Sequence, residues 1–184
     1  MLKNKNNHNL GLLFENIVDK YGKLNAIVFN KEYVITYNEL DGLSNQIANA
    51  LHKNKLSSGD VILISGDKSL EMFATIIAAL KAGITYCVYD PSGPLDRLKR
   101  ITNVCNPQLI INSSKDEFIL NSGLVDFVVL EYKEIKKQAL LLSPNRNAKV
   151  SNTLGNELAY IMFTSGSTGT PKGTLHFHRD ILAV

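Results

Sequence analysis

Apolar positions along the chain follow two alternating rhythms. Leu10, Leu13, Phe14, Ile17, Val18 and Tyr21 recur at helical spacing after Asn9, a residue suited to an N-cap, and Gly22 follows where a C-cap glycine belongs. This predicts a first helix. Ala26 to Phe29 and Tyr33 to Tyr37 are β-prone runs separated by Asn30, Lys31 and Glu32, which predicts a hairpin. Thr36 opens a capping box with Glu39, and Leu40, Leu43, Ile47 and Leu51 mark the buried stripe of a second helix. Short apolar runs then alternate with helical stretches. Strands are expected at Val61 to Ser65, Ile84 to Tyr89, Leu109 to Asn112, Phe127 to Leu130 and Leu158 to Phe163. Helices are expected at Ser69 to Lys81, ended by Gly83, and at Leu95 to Val104, preceded by the turn Pro91, Ser92, Gly93, Pro94. Runs such as Val61-Ile62-Leu63-Ile64 are apolar at every position, as a strand covered on both faces must be. The pattern predicts an α/β fold with a mostly parallel sheet flanked by helices. Leu140 to Gly155, with Pro144, Ser143, Ser151 and several Asn, reads as a long surface loop.

Composition narrows the partners. Of 184 residues, 45% are hydrophobic and 20% charged, enough to bury a core. The longest apolar stretch, Phe73 to Leu80, contains Thr75 and falls far short of the roughly 18 residues a membrane span needs. Lys3 and Lys5 precede a short apolar clump, Leu10 to Leu13, without a cleavage pattern, so a cytoplasmic location is expected. Residues 1–9 read as a disordered start, and 10–184 as the folded unit. Twenty Lys and Arg against seventeen Asp and Glu leave +3, too even a balance to suggest a nucleic-acid partner. Lys133, Lys136 and Lys137 are interleaved with Glu131 and Glu134, which fits a solvated helix face. Cys87 and Cys105 stand in no metal or nucleophile spacing and read as reduced, packed thiols.

One segment differs from the rest: Thr164-Ser165-Gly166-Ser167-Thr168-Gly169-Thr170-Pro171-Lys172-Gly173, directly after the Leu158 strand. Small hydroxylated residues let backbone N–H groups approach an anion, and a lysine adds a full positive charge. This is phosphate-loop chemistry at the carboxyl end of a strand, where ligand loops of open α/β sheets sit. The Walker A pattern G-x-x-x-x-G-K-[ST] fails twice. Counting from Gly166, Pro171 occupies the second glycine and Gly173 the required Ser or Thr. Thr174, Leu175, His176 and Phe177 then alternate as a strand would. A flexible Gly/Ser/Thr linker is the competing reading of the composition.

At these residues the chain resembles the adenylate-forming superfamily, which includes acyl- and aryl-CoA ligases and the adenylation domains of nonribosomal peptide synthetases. Tyr160-Ile161-Met162-Phe163 followed by TSGSTGTPKG is similar to that family's phosphate loop. Ile35-Thr36-Tyr37-Asn38-Glu39-Leu40 and Leu80-Lys81-Ala82-Gly83-Ile84-Thr85-Tyr86 are similar to two earlier elements in the family's order. Asp90-Pro91-Ser92, Pro94 and Arg97-Leu98 resemble the continuation found in peptide-synthetase domains, with Val88 where proline is usual and Gly93 where an aromatic is common. His176-Phe177-His178-Arg179-Asp180 is similar to the segment after the loop; a histidine there is either near the nucleotide or simply packed.

The resemblance implies the N-terminal portion of an ATP-dependent carboxylate-activating ligase. It implies ATP with Mg2+, an amino, aryl or fatty acid as substrate, and CoA or phosphopantetheine as the thiol acceptor. Thr164, Ser165, Gly166, Ser167, Thr168, Gly169 and Lys172 would cradle the β- and γ-phosphates. The adenine, ribose and metal-binding elements and the late catalytic lysine expected by the resemblance have no counterpart in these residues. Asp180 to Val184 reads as the first turn of an unfinished apolar helix, so a truncated architecture, inactive alone, is expected. The alternative is a non-catalytic module that retains this portion for nucleotide or protein binding.

Overall fold

The computed structural model describes residues 9–29, 33–113, 123–146, 152–164 and 171–182. In chain order the elements are α1 (Leu10–Tyr21), β1 (Asn25–Phe29), β2 (Tyr33–Thr36), α2 (Tyr37–Lys53), β3 (Val61–Ser65), α3 (Leu70–Ala82) and β4 (Thr85–Tyr89). There follow α4 (Leu95–Cys105), β5 (Leu109–Asn112), β6 (Val129–Glu131), α5 (Tyr132–Ala139), β7 (Leu158–Thr164), β8 (Lys172–Phe177) and α6 (His178–Leu182). Strands β1 and β2 form an antiparallel pair; the other six form one sheet in the order β6-β5-β3-β4-β7-β8. The first five strands of that sheet run parallel, and β8 is antiparallel to β7. Among the described residues no helix is long and apolar enough to cross a membrane.

Local signals act as the pattern predicts. The Asn9 side chain accepts from the Gly11 and Leu12 N–H groups, and Thr36 and Glu39 complete their capping box. Asn9, grouped by composition with the start of the chain, is buried. Ser69 caps α3, and Gly83 closes it at φ 68°, a left-handed conformation that favours glycine. Gly22 departs from its expected role because its backbone is right-handed. A side chain there would overlap the Asn38 amide, and Asn38 N–H donates to the Gly22 carbonyl, so close approach explains the glycine.

Alternate strand residues face two cores. Ile62, Ile64, Leu109 and Ile111, with Ile84 just before β4, pack with buried residues of α2, α3 and α5. Leu63, Cys87, Tyr89 and Ile110 pack with Leu98, Ile101 and Cys105 of α4 on the other face. This two-sided burial is why β3 reads as an unbroken apolar run. The boundary at β6 shifts from Phe127–Leu130 to Val129–Glu131, because Glu131 and Glu134 form a capping box that starts α5. In the Leu140–Gly155 segment the described residues include no strand, yet part of it is fixed. Asn45, Gln46 and Asn49 of α2 donate to the carbonyls of Pro144, Leu142 and Ser143.

A buried charge cluster joins the first three helices. Lys81, 1% exposed, donates to Asp41 Oδ1 and to Asn45 Oδ1 at 2.6 Å, and lies 5.3 Å from the centre of the Phe14 ring. Arg146 reaches Asp41 at 3.3 Å and Asp19 at 2.9 Å. Glu15 Oε1 is buried without a hydrogen-bond partner, and burial pushes its carboxyl above the usual range.

Candidate functional site

The candidate phosphate segment sits on the β7–β8 hairpin. Pairing runs from Leu158 opposite Phe177 to Phe163 opposite Gly173 and Thr164 opposite Lys172. Because β7 is parallel to β4, the hairpin projects from the carboxyl edge of the parallel sheet. Reading Thr164 to Gly173 as a single loop therefore needs correction. Thr164, Lys172 and Gly173 are strand residues, because the ladder continues to the ends of both strands. Thr164 and Lys172 are exposed and held face to face. Ser165, Gly166, Ser167, Thr168 and Gly169, the rest of the expected cradle, lie outside the described residues.

The hairpin stem is stiffened by side chains that the motif alone does not reveal. Tyr160 stacks on His176 of β8, with ring centroids 4.4 Å apart and planes 13° apart. On its other side it meets Tyr86 of β4 at 5.4 Å. Such cross-strand ring contacts stabilise a pair by about 0.5–1.5 kcal/mol beyond burial. Thr174 Oγ1 donates to the Met162 carbonyl at 2.9 Å, and Arg97 Nη2 of α4 donates to the Phe163 carbonyl at 3.3 Å. A Cβ at Gly173 would come 3.0 Å from Ile161 Cγ2 and 3.2 Å from Phe163 Cε1, so glycine lets the Phe163 ring lie over the β8 backbone. Beside the stem, Ile76, Tyr86, Val88, Tyr160 and Met162 line a cavity of about 380 Å³.

The neighbouring segments are structural in character. His178 is buried, and its Nδ1 accepts from the Leu10 N–H at 3.1 Å, supplying a further cap for α1. Burial holds this imidazole below its ordinary value, so it stays neutral. Of the two readings left open for the post-loop histidines, packing describes His178. After β4, Asp90 Oδ1 accepts from Ser92 Oγ at 2.7 Å and Ser92 N at 2.9 Å, bonds that hold its carboxyl below the usual range. Cys87 and Cys105 are both buried and free. A hydrogen bond with Cys105, then burial, pushes the Cys87 thiol well up, which keeps it protonated. Among the described residues no group of three or more His, Cys, Asp or Glu stands close enough to hold a metal ion, and none is assigned to magnesium.

Residues 14–184 match the profile of a family described as AMP-binding enzyme. Bacitracin synthase 2 of Bacillus licheniformis is 33% identical over 172 residues, which is 92% of this chain and 6% of that synthase. Gramicidin S synthase 2 of Brevibacillus brevis is 32% identical over 170 residues, 92% of this chain and 4% of its own length. The chain thus spans a small fraction of the curated relatives it matches. In fold it is similar to the Klebsiella oxytoca NpsA N-terminal subdomain in complex with 3-hydroxyanthranilyl-AMSN. That match has a TM-score of 0.80 at 24% identity and covers 94% of this chain and 41% of that one. It is also similar to a Mycobacterium tuberculosis fatty acyl CoA synthetase, with a TM-score of 0.84 at 18% identity, covering 97% and 36%.

Proposed function

The chain belongs to the AMP-binding enzymes, and from that premise we propose that residues 10–184 form the N-terminal part of an adenylation domain whose β7–β8 hairpin holds the triphosphate of ATP. The observation that carries this reading is the register that sets Thr164 and Lys172 opposite each other at the carboxyl edge of the sheet. Both ends of a Gly/Ser/Thr segment are thereby fixed, so its N–H groups and hydroxyls can converge on one anion. Thr164, Ser165, Gly166, Ser167, Thr168 and Gly169 would supply donors, and Lys172 a charge on the rim.

The chemistry proposed is activation of a carboxylic acid. A carboxylate oxygen forms a bond to the α-phosphorus while the bond from that phosphorus to the bridging oxygen breaks, and pyrophosphate leaves. Negative charge grows on the leaving pyrophosphate, which is what the hairpin donors and Lys172 would stabilise. Magnesium, when bound with ATP, would share that charge; no residue described here is assigned to it. A thiol of CoA or phosphopantetheine would then form a bond to the acyl carbon while the bond from that carbon to the adenylate oxygen breaks, and AMP would leave. The acid would be an amino, aryl or fatty acid. A cytoplasmic location goes with this reading.

The test is calorimetric titration with ATP, AMP and inorganic tripolyphosphate at two ionic strengths. ATP and tripolyphosphate should bind, weakly and less at high salt, and AMP should not. Equal binding of AMP and ATP would refute a triphosphate-centred site.

A further inference from the structure

The hairpin that carries the candidate phosphate segment extends beyond the support of its sheet. Strand β7 pairs with β4 at Tyr86–Tyr160 and Cys87–Ile161, and Met162–Thr164 continue past that ladder. Within this stretch the Phe163 carbonyl accepts from Arg97 Nη2 of α4 at 3.3 Å.

Arg97 is well placed to act as an anchor. Its helix is fixed by the adjacent Leu98 and by Ile101 one turn on, which are 0% and 2% exposed against the sheet. The approach to the helix is fixed as well, since Tyr89 Oη donates to the Pro94 carbonyl at 2.9 Å. A Cβ at Gly93 would stand 2.7 Å from Tyr89 Oη, so the chain passes this ring as closely as glycine permits. Arg97 itself is half-buried, which shields its hydrogen bond from some competition with water.

We propose that Arg97 is a positioning residue for the phosphate segment: beyond Ile161, where the ladder to β4 ends, its guanidinium holds the β7 backbone at Phe163 and so sets where Thr164 and Lys172 stand. Arg97 does not touch phosphate in this account. It acts through the Phe163 carbonyl, and the consequence for ATP rests on the reading given under the preceding heading.

The experiment measures amide hydrogen exchange by NMR in the whole chain for wild type, Arg97→Ala, Arg97→Gln and Arg97→Lys, with an ATP and tripolyphosphate titration of each. Arg97→Gln keeps most of the aliphatic stem, so it reports even where the alanine variant folds poorly. In Arg97→Ala and Arg97→Gln, exchange at Phe163, Thr164, Lys172 and Gly173 should quicken by about tenfold, with β3 and β5 amides unchanged. Arg97→Lys should recover part of the protection, and triphosphate affinity should fall in step with exchange. Unchanged exchange at the hairpin tip would overturn the proposal. So would uniform quickening throughout the sheet, which marks a global stability effect. Lost affinity with unaltered exchange would overturn it too, since Arg97 would then contact phosphate directly. If wild type binds neither ATP nor tripolyphosphate, the phosphate-loop reading fails, while the exchange comparison still decides whether the tether exists.

Discussion

Replacing Lys81 with methionine tests how the helical layer is held together. Lys81 is 1% exposed and joins Asp41 and Asn45 of α2, with the Phe14 ring and Glu15 of α1 at 5.3 Å and 4.0 Å. Methionine keeps the apolar stem and removes the charge, leaving Asp41 buried. Breaking a buried pair from one side typically costs about 3–5 kcal/mol. Two features favour the lower end here. Arg146 Nε remains 3.3 Å from Asp41, and Glu15, already biased by burial toward its protonated form, can shed its charge. We expect Lys81→Met to destabilise the chain by about 3 kcal/mol, a fall in Tm of about 6 to 12 °C at this chain length. Urea unfolding followed by circular dichroism should show a lower midpoint with an unchanged slope. The raised Glu15 carboxyl fixes the sign with pH: the deficit should shrink as pH falls toward the ordinary value of 4.5, because Glu15 takes up its proton in the folded chain before it does in the unfolded one. Asp41→Asn added to Lys81→Met should recover at least about 1.5 kcal/mol relative to additivity. A Lys81→Met variant within about 0.5 kcal/mol of wild type would contradict the reasoning. So would strict additivity in the double variant.

Three further outcomes follow from burial and backbone. His178, held neutral by burial, contributes stability that is complete above its ordinary value of 6.5 and is lost as pH falls below it, so urea midpoints should drop over that window in wild type and stay flatter in His178→Leu. Ile64→Ala, at a position 0% exposed in the main core, should cost about 4 kcal/mol in the same unfolding assay. Gly83→Ala forces a Cβ into φ 68° and to 2.9 Å from Thr153 Oγ1; thermal unfolding should reveal a loss of about 1 to 2 kcal/mol.

The parallel sheet was readable because β3 and β5 are buried on both faces, which leaves continuous apolar runs with turn residues between the elements. Element α5 was harder to place: Tyr132, Ile135 and Ala139 face the core between lysines and glutamates, and charge dominates the local composition. The edge strand β8 shows alternation in sequence, but its direction follows from its pairing with β7. At the candidate site, residue types announced phosphate chemistry, whereas the row Tyr86, Tyr160, His176 emerges only from cross-strand register. The same holds for Lys81. A lysine in the last turn of a helix normally reads as a solvated charge complementing the dipole, and its burial depends on Asp41, 40 residues earlier in the chain.

The central claim is that the β7–β8 hairpin receives the triphosphate of ATP. Phosphorus NMR of ATP titrated with wild type and Lys172→Ala tests it most directly, because each phosphate reports separately. In wild type the β- and γ-phosphorus resonances should shift and broaden more than the α resonance. In Lys172→Ala, a change at an exposed strand residue opposite Thr164, those shifts should fall several-fold with the fold intact. Shifts led by the α-phosphorus, or β and γ shifts indifferent to Lys172→Ala, would contradict it.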